Sequence, residues 1–144
     1  MTASKQKGTA AEREVVRYLQ TWWPAAERRA LSGNKDKGDV AGIPGVVVEV
    51  KAAERPMLAA WKVETVTEMR NAGADHCLLV VKRKYKPVAQ WDAYIPAWRL
   101  GELLEREISR VEGNAAWVRM DLALAVALLK SEIYLSARSW PTTA

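Results

Sequence analysis

The sequence predicts a single α/β domain with a mixed central sheet flanked by helices. Segments with strand and helix patterns alternate along its 144 residues, a length that supports one hydrophobic core. A turn rich in Gly and Pro at 42–45 joins two short apolar segments into a pair of strands. The continuous apolar run Cys77–Val81 is typical of a strand buried on both faces.

The first element is an amphipathic helix, predicted over residues 9–23. Thr9 is its expected N-cap, Glu12 completes a capping box three residues later, and Pro24 ends the segment. The elements after it are a short strand at 27–31, a polar loop at 32–38, strands at about 39–43 and 46–52, a helix at about 57–72 ended by Gly73, strands at 77–81 and 91–96, a helix at about 98–108, a short strand near 115–119 and an apolar helix at about 121–135. We expect one domain over 1–144, with its core at about 5–100 and a C-terminal helical extension at about 101–136.

Composition and charge narrow the classes of function. The chain has no apolar run long enough to cross a bilayer and no apolar segment at its N-terminus, so we expect no membrane partner and a cytoplasmic location. The single cysteine, Cys77, excludes an internal disulfide and a thiolate-rich metal site. A net charge of +5 suits a polyanionic partner. The seven tryptophans, in a chain without phenylalanine, are expected in the core rather than in a base-stacking platform.

The paired strands carry the most informative pattern. Centring their turn on Pro44 pairs Glu49 with Asp39, and directly opposed residues have Cβ atoms roughly 5 Å apart. Lys51 lies two residues further along the same face, whereas Val48 and Val50 face the core. Two carboxylates this close repel unless a positive charge lies between them. A divalent metal ion is the expected cation, because hard cations prefer oxygen ligands.

Glu12 falls within the apolar stripe of the first helix, beside Val16 and Leu19. An unpaired buried carboxylate is costly, so something must compensate it. The alternatives are the capping box, an ion pair with Lys51 or Arg29, and a metal site or its water shell. Given the acidic pair on the strands, a shared acidic site is the favoured interpretation. Nearby acidic residues are expected to face solvent (Glu54, Glu64) or to lie in a flexible loop outside the site (Asp36).

The order of Glu12, Asp39 and the Glu49-x-Lys51 pair resembles the PD-(D/E)xK nuclease superfamily. Similarity to archaeal-type Holliday junction resolvases and related phage-encoded resolvases rests on the segment KGTAAERE, Arg28-Arg29, Gly38-Asp39-Val40 and Val48-Glu49-Val50-Lys51. The likeness covers about residues 5–53 and continues more weakly to Lys82. Gly38 stands where the superfamily name has Pro, and helix 57–72 lacks the Gln that some branches place there.

This resemblance implies a restriction-endonuclease-like fold and an Mg²⁺-dependent endodeoxyribonuclease, with Mn²⁺ able to substitute, that hydrolyses phosphodiester bonds at four-way DNA junctions. The implied catalytic residues are Glu12, Asp39, Glu49 and Lys51. The metal ligands would be Asp39, Glu49 and the Val50 carbonyl, with Glu12 acting through water, and Lys51 would orient or deprotonate the attacking water or stabilise developing charge. The implied DNA contacts are Lys7, Arg13, Arg29, Ser32 and Lys37. Two nicks resolve a junction, so a homodimer is expected.

Three other interpretations remain at the level of sequence. The first is a nuclease of the same superfamily that acts generally or on flaps and nicks. The second is a non-catalytic DNA-binding protein of the same fold. The third is a basic structural protein whose carboxylates merely pair with lysines, in which case removal of Glu49 would change stability without changing any catalytic activity.

Overall fold

The computed structural model describes residues 2–29, 36–103 and 116–138. The helices are α1 (Ala3–Leu19), α2 (Leu58–Ala72), α3 (Ala97–Leu103) and α4 (Leu122–Arg138), with a 3₁₀ turn at Val88–Gln90. The strands are β1 (Glu27–Arg28), β2 (Val40–Ala41), β3 (Val46–Lys51), β4 (His76–Val81), β5 (Asp92–Pro96) and β6 (Trp117–Asp121). In these ranges the strands form one sheet in chain order, in which β3 and β4 are parallel and the other neighbours are antiparallel. The predicted single α/β domain with a mixed sheet is therefore confirmed.

Alternation along β3 separates the two faces of the sheet. Val46, Val48 and Val50 pack in a large apolar cluster with residues of α1 and α4. Val47 packs in a separate cluster with Met69 of α2, on the opposite face. The predicted inward and outward positions along this strand are confirmed, and Glu49 and Lys51 consequently lie on the face that α2 covers.

The hairpin register agrees with the prediction at Val40, which pairs with Val48. The ladder changes one residue earlier, because the Asp39 amide donates to the Val48 carbonyl at 2.9 Å. Two residues of one strand thus face a single residue of the other, which is the pattern of a β-bulge. The backbone pairing expected between Asp39 and Glu49 is therefore not formed, and the Asp39 side chain instead accepts a hydrogen bond from the Val50 amide at 2.8 Å.

The predicted start of the first helix is wrong. Helix α1 begins at Ala3, and its N-cap is Thr2, whose hydroxyl accepts from the Lys5 amide at 3.4 Å. The residues before Thr9 are largely compatible with a helix, and Gly8 costs only about 1 kcal/mol relative to alanine. Glu12 therefore lies in the helix interior, and the capping box expected for it does not exist.

The C-terminal region belongs to the same sheet and core. Strand β6 pairs with β5 along its whole length. Helix α4 buries Leu122, Ala125, Val126 and Leu129 in the cluster that also contains the residues of α1. The second half of the predicted helix at 98–108 lies outside the described residues. Among those described, six tryptophans are buried or half-buried, as expected for core positions, and no helix is long and apolar enough to cross a membrane.

Candidate metal centre

The predicted acidic pair and its lysine converge at one place. The Lys51 Nζ lies 3.0 Å from Glu49 Oε1, and the Asp39 carboxylate is held against the next amide of β3 by the bond to Val50. Glu49 is only 3% exposed, and its Oε2 has no hydrogen-bond partner within the described residues. The structure thus brings together three side chains that the sequence places up to 12 positions apart. We refer to Asp39, Glu49 and Lys51 as the strand site.

Helix α2 adds two carboxylates that face the strand site. Glu64 Oε1 lies 3.1 Å from Lys51 Nζ, so the expectation that Glu64 merely faces solvent is wrong. Glu68, one turn further along, is 1% exposed, and neither of its carboxylate oxygens has a donor in the described part of the chain. Glu54, in contrast, is exposed as expected and pairs with Lys7 at 3.5 Å.

Asp36 completes this acidic group from the loop before β2. Single carboxylate oxygens of Asp36, Glu64 and Glu68 all lie within 4.8 Å of one another. Asp36, which the sequence analysis places in a loop outside the site, thus lies close to two glutamates of α2. We refer to these three residues as the outer site, and to the outer site with Asp39 and Glu49 as the carboxylate cluster.

Sequence reasoning missed Glu68, although the same signal that singled out Glu12 was present. The buried residues of α2 include Trp61, Thr65 and Met69, which define the stripe that faces the sheet. Glu68 belongs to that stripe. A glutamate at a core-facing helix position needs a compensating partner, and this makes it a candidate site residue.

Burial and mutual repulsion raise the pKa of two acidic groups in the carboxylate cluster. Burial, followed by the charge of Glu49, raises the pKa of Asp39 to about 8, against a smaller opposing effect of the Val50 amide. Burial and then the neighbouring Glu49 also raise the pKa of Glu68. Burial alone would lower the pKa of Lys51, but Glu49 and Glu64 reverse this effect, and the net shift is upward.

The carboxylate cluster fits a hard divalent cation. Of its five carboxylates, Glu49 and Glu64 contact the Lys51 ammonium group. An oxygen-only donor set selects ions such as Mg²⁺, Mn²⁺ or Ca²⁺ over softer metals. The buried Glu49 Oε2 and both oxygens of Glu68 still have bonding capacity that no donor in the described residues uses. The three residues whose carboxylate oxygens have the spacing of a metal site are Asp36, Glu64 and Glu68. That Asp39 and Glu49 ligate a metal ion stays a prediction.

Glu12 is near the cluster, but a different cation binds it. The Arg28 guanidinium donates two hydrogen bonds to Glu12 Oε2, at 3.0 and 2.9 Å. An ion pair does compensate Glu12, as one of the alternatives predicted, but its cation is Arg28 and not Lys51 or Arg29. Its charge still contributes to the raised pKa of Asp39, so Glu12 remains within electrostatic reach of the strand site.

The predicted DNA-contacting side chains that the structure describes are exposed. Arg13, Arg29 and Lys37 are exposed, Lys7 pairs with Glu54, and Ser32 lies outside the described residues. A further basic segment, Lys82–Lys86, follows β4 directly. Its first amide donates to the Lys51 carbonyl at 2.9 Å, and Tyr85 within it is 97% exposed with a φ of 63°. We refer to this segment as the basic loop.

Fold and site together define an α/β protein with a carboxylate and lysine centre at the sheet. Comparison of the chain with protein-family models, with curated proteins and with solved structures gives no match. The assignment of a function therefore rests on the residues and their geometry.

Proposed function

We propose that this protein is a metal-dependent, structure-selective DNA endonuclease of the PD-(D/E)xK type, acting as a Holliday junction resolvase. The observation that carries the proposal is the approach of Asp39 and Lys51 to the buried carboxylate of Glu49, whose Oε2 has no hydrogen-bond partner among the described residues. The resemblance of residues 5–53 to junction resolvases supplies the reaction class, which is hydrolysis to a 5′-phosphate and a 3′-hydroxyl.

Asp39 and Glu49 would hold the ion, with the Val50 carbonyl as a third ligand. A bound Mg²⁺ ion lowers the pKa of water toward neutrality and neutralises charge on the phosphate. Asp39 is fixed for this task by its bond to the Val50 amide at 2.8 Å. Burial and the charge of Glu49 raise the pKa of Asp39 to about 8, so an ion held here would compete with a proton near neutral pH.

Lys51 acts as a donor in this proposal. Glu49 and Glu64 bind its ammonium group from two sides, at 3.0 and 3.1 Å, and its raised pKa keeps it protonated at neutral pH. A protonated amine cannot take a proton from water. Of the roles expected from the resemblance, we therefore assign to Lys51 the stabilisation of charge that develops on the scissile phosphate.

The basic loop is a further proposed DNA contact. Lys82, Arg83, Lys84 and Lys86 place positive charge next to the end of β3, through the bond between the Lys82 amide and the Lys51 carbonyl. Phosphate contacts fix the position of DNA without reading its sequence, which suits an enzyme that recognises branch shape. The exposed Tyr85 provides a ring on which an unstacked base at a branch point can lie.

A homodimer is part of the proposal, since a two-fold junction needs two symmetric nicks. Light scattering of the protein, alone and with a four-way junction, measures this directly. A mass of two chains per junction supports the dimer, and a mass of one chain in both samples contradicts it.

The main experiment compares cleavage of a four-way junction, a flap and a linear duplex, each with Mg²⁺ and with a chelator. Glu49→Gln tests the centre, because it keeps the shape of the side chain and removes its charge. Glu54→Gln is the matched control, since Glu54 is exposed and pairs only with Lys7 in the described residues.

Paired symmetric nicks in the junction, lost with chelator and with Glu49→Gln but kept with Glu54→Gln, are the expected result. Equal cutting of all three substrates would replace the resolvase by a general nuclease. Tight junction binding without cleavage under any condition would replace it by a non-catalytic DNA-binding protein.

The DNA contact has a separate test. Replacing Arg83, Lys84 and Lys86 by Ala should weaken junction binding and lower the slope of log K against log salt by up to about 2.7, at about 0.9 per phosphate contact. Lys130→Ala is the control, because Lys130 belongs to α4 and its ammonium group lies over the ring of Trp22, just after the C-terminal end of α1. An unchanged salt slope in the triple variant would exclude the basic loop as a phosphate-binding element.

A further inference from the structure

The three carboxyl groups of the outer site outnumber the ammonium groups that contact them among the described residues. Lys51 is the ammonium group that reaches the carboxylate cluster in the described residues, and it is already bound to Glu49 and Glu64. Asp36 and Glu68 have no ion pair with any basic side chain in the same part of the chain, although the Asp36 Oδ1 accepts from the Gly38 amide at 2.9 Å. In the described residues the Lys51 amine thus pairs with two of the five carboxylates, Glu49 and Glu64.

Glu68 is the second observation that points to a ligand. Its side chain is 1% exposed, and as a carboxylate neither of its oxygens has a hydrogen-bond donor among the described residues. A buried carboxylate without a partner is among the costliest groups in a protein interior. Its neighbours Glu49, Asp36 and Glu64 are all acidic, so the surrounding charge increases this cost.

The spacing of the outer site matches the shell of one ion. Oxygens of Asp36, Glu64 and Glu68 lie within 4.8 Å of one another. Oxygens bound to one Mg²⁺ ion are about 3 Å apart when adjacent and about 4.2 Å apart when opposite, and around Ca²⁺ they reach about 5 Å. Shifts of a few tenths of an ångström therefore close these three groups on a divalent cation.

We propose that Asp36, Glu64 and Glu68 form a second divalent-cation site, separate from the Asp39 and Glu49 site. Glu49, whose buried Oε2 has no donor among the described residues, is a neighbour of both sites, because its charge acts on Asp39 and on Glu68. The proposal rests on the proposed function only for the use of the second ion in catalysis. Cation binding itself requires no nuclease activity.

Ion stoichiometry tests the proposal directly. Mn²⁺ is titrated into the full chain and the free ion is followed by electron paramagnetic resonance, with circular dichroism and thermal melting to show that each variant is folded. The wild type is expected to bind two ions. Glu68→Gln is expected to bind one, Asp39→Asn is expected to bind one, and the double variant none, whereas Glu54→Gln keeps two.

Each alternative result has a definite meaning. One ion in the wild type, lost in both single variants, would show that the carboxylate cluster is one site, which overturns the second site and leaves the nuclease proposal intact. Two ions retained in Glu68→Gln would place the second ion elsewhere and overturn the proposal. No ion in the folded wild type would overturn both, and would leave a proton shared between Glu49 and Glu68 as the balancing charge.

Discussion

The two faces of the sheet differ in polarity, although strand β3 contributes side chains to both. On the face covered by α1 and α4, Val46, Val48 and Val50 join one continuous apolar cluster. On the face covered by α2, alternate residues of the same strand include a buried carboxylate and a half-buried ammonium group. One face is optimised for burial, and the other keeps polar groups out of water at a cost.

This difference teaches where stability and chemistry reside. The apolar face contributes the hydrophobic free energy that folds the domain, roughly 25 cal/mol for each Å² of apolar surface removed from water. The α2 face also contains apolar residues, such as Trp61 and Leu79, but these lie beside a group of like charges. Buried groups of like charge are concentrated at functional sites in proteins, so the α2 face is where we expect chemistry.

The largest expected effect is on the apolar face. Leu78→Ala, in the strand next to β3, removes a side chain that is 1% exposed within the large cluster. The free energy of unfolding should fall by about 3 kcal/mol, because the loss combines transfer and cavity terms. Urea denaturation measures it, and Leu124→Ala, at a residue that is 53% exposed, serves as the control. Equal losses at both positions would refute the distinction between core and surface on which the comparison depends.

The next effect has the opposite sign and lies on the α2 face. Glu68→Gln replaces a buried carboxyl group, whose oxygens have no donor among the described residues, by a neutral group of the same size. In the presence of chelator at pH 8 the free energy of unfolding should rise by about 1–3 kcal/mol, because the folded chain no longer has to hold either a buried charge or an extra proton at this position. Urea denaturation with EDTA checks this change. A large loss of stability would mean that Glu68 is compensated in a way that the comparison of the faces omits.

The pH dependence of stability should also come from the α2 face. The pKa values of Asp39 and Glu68 are raised by burial and by Glu49, so the folded chain retains protons that the unfolded chain releases. The contribution of such groups is fully present at pH below about 4 and is lost as the pH rises toward 8 and above. Metal-free protein should therefore melt at a lower temperature at pH 8 than at pH 5. Glu68→Gln should flatten this dependence and Leu78→Ala should leave its slope unchanged.

The smallest effect is expected at the exposed ion pair between Lys7 of α1 and Glu54, which follows β3. The two side chains are 3.5 Å apart. Both side chains are mostly exposed, and such pairs contribute less than about 1 kcal/mol. Glu54→Gln should change the melting temperature by less than the scatter between preparations. A marked change in melting temperature would show that the Lys7–Glu54 pair stabilises the fold and is more than a surface contact.

Elements with strong periodic or apolar signals were predictable from the sequence. The buried strand β4, the end of α2 at Gly73 and the alternation along β3 follow from local pattern, because each depends on near neighbours in the chain. Gly73 indeed caps α2 in the left-handed conformation, with a φ of 63°. The start of α1 was missed because capping by Thr2 leaves only a weak signal at the extreme N-terminus.

The candidate site was predicted in part for a similar reason. Asp39, Glu49 and Lys51 share one hairpin, so the turn predicts that they lie close together, although the bulge changes the pairing that the pleat predicts between Asp39 and Glu49. Glu64 and Glu68 arrive through packing of α2 on the sheet, and Arg28 reaches Glu12 through packing of α1 against β1. Such contacts between distant segments depend on how elements orient in three dimensions, which the periodicity of one segment does not encode.

Two glycines that flank Asp39 restrict how this hairpin can vary in evolution. A methyl group at Gly42 would lie 2.0 Å from the Ala25 carbonyl oxygen, and one at Gly38 would lie 2.8 Å from Val47, both at positive φ. Any larger residue at either place would displace the backbone that carries the acid. A search for related chains can therefore use the spaced signature Gly-Asp-x-x-Gly ahead of Glu-x-Lys, because a side chain at either glycine would collide with its neighbours.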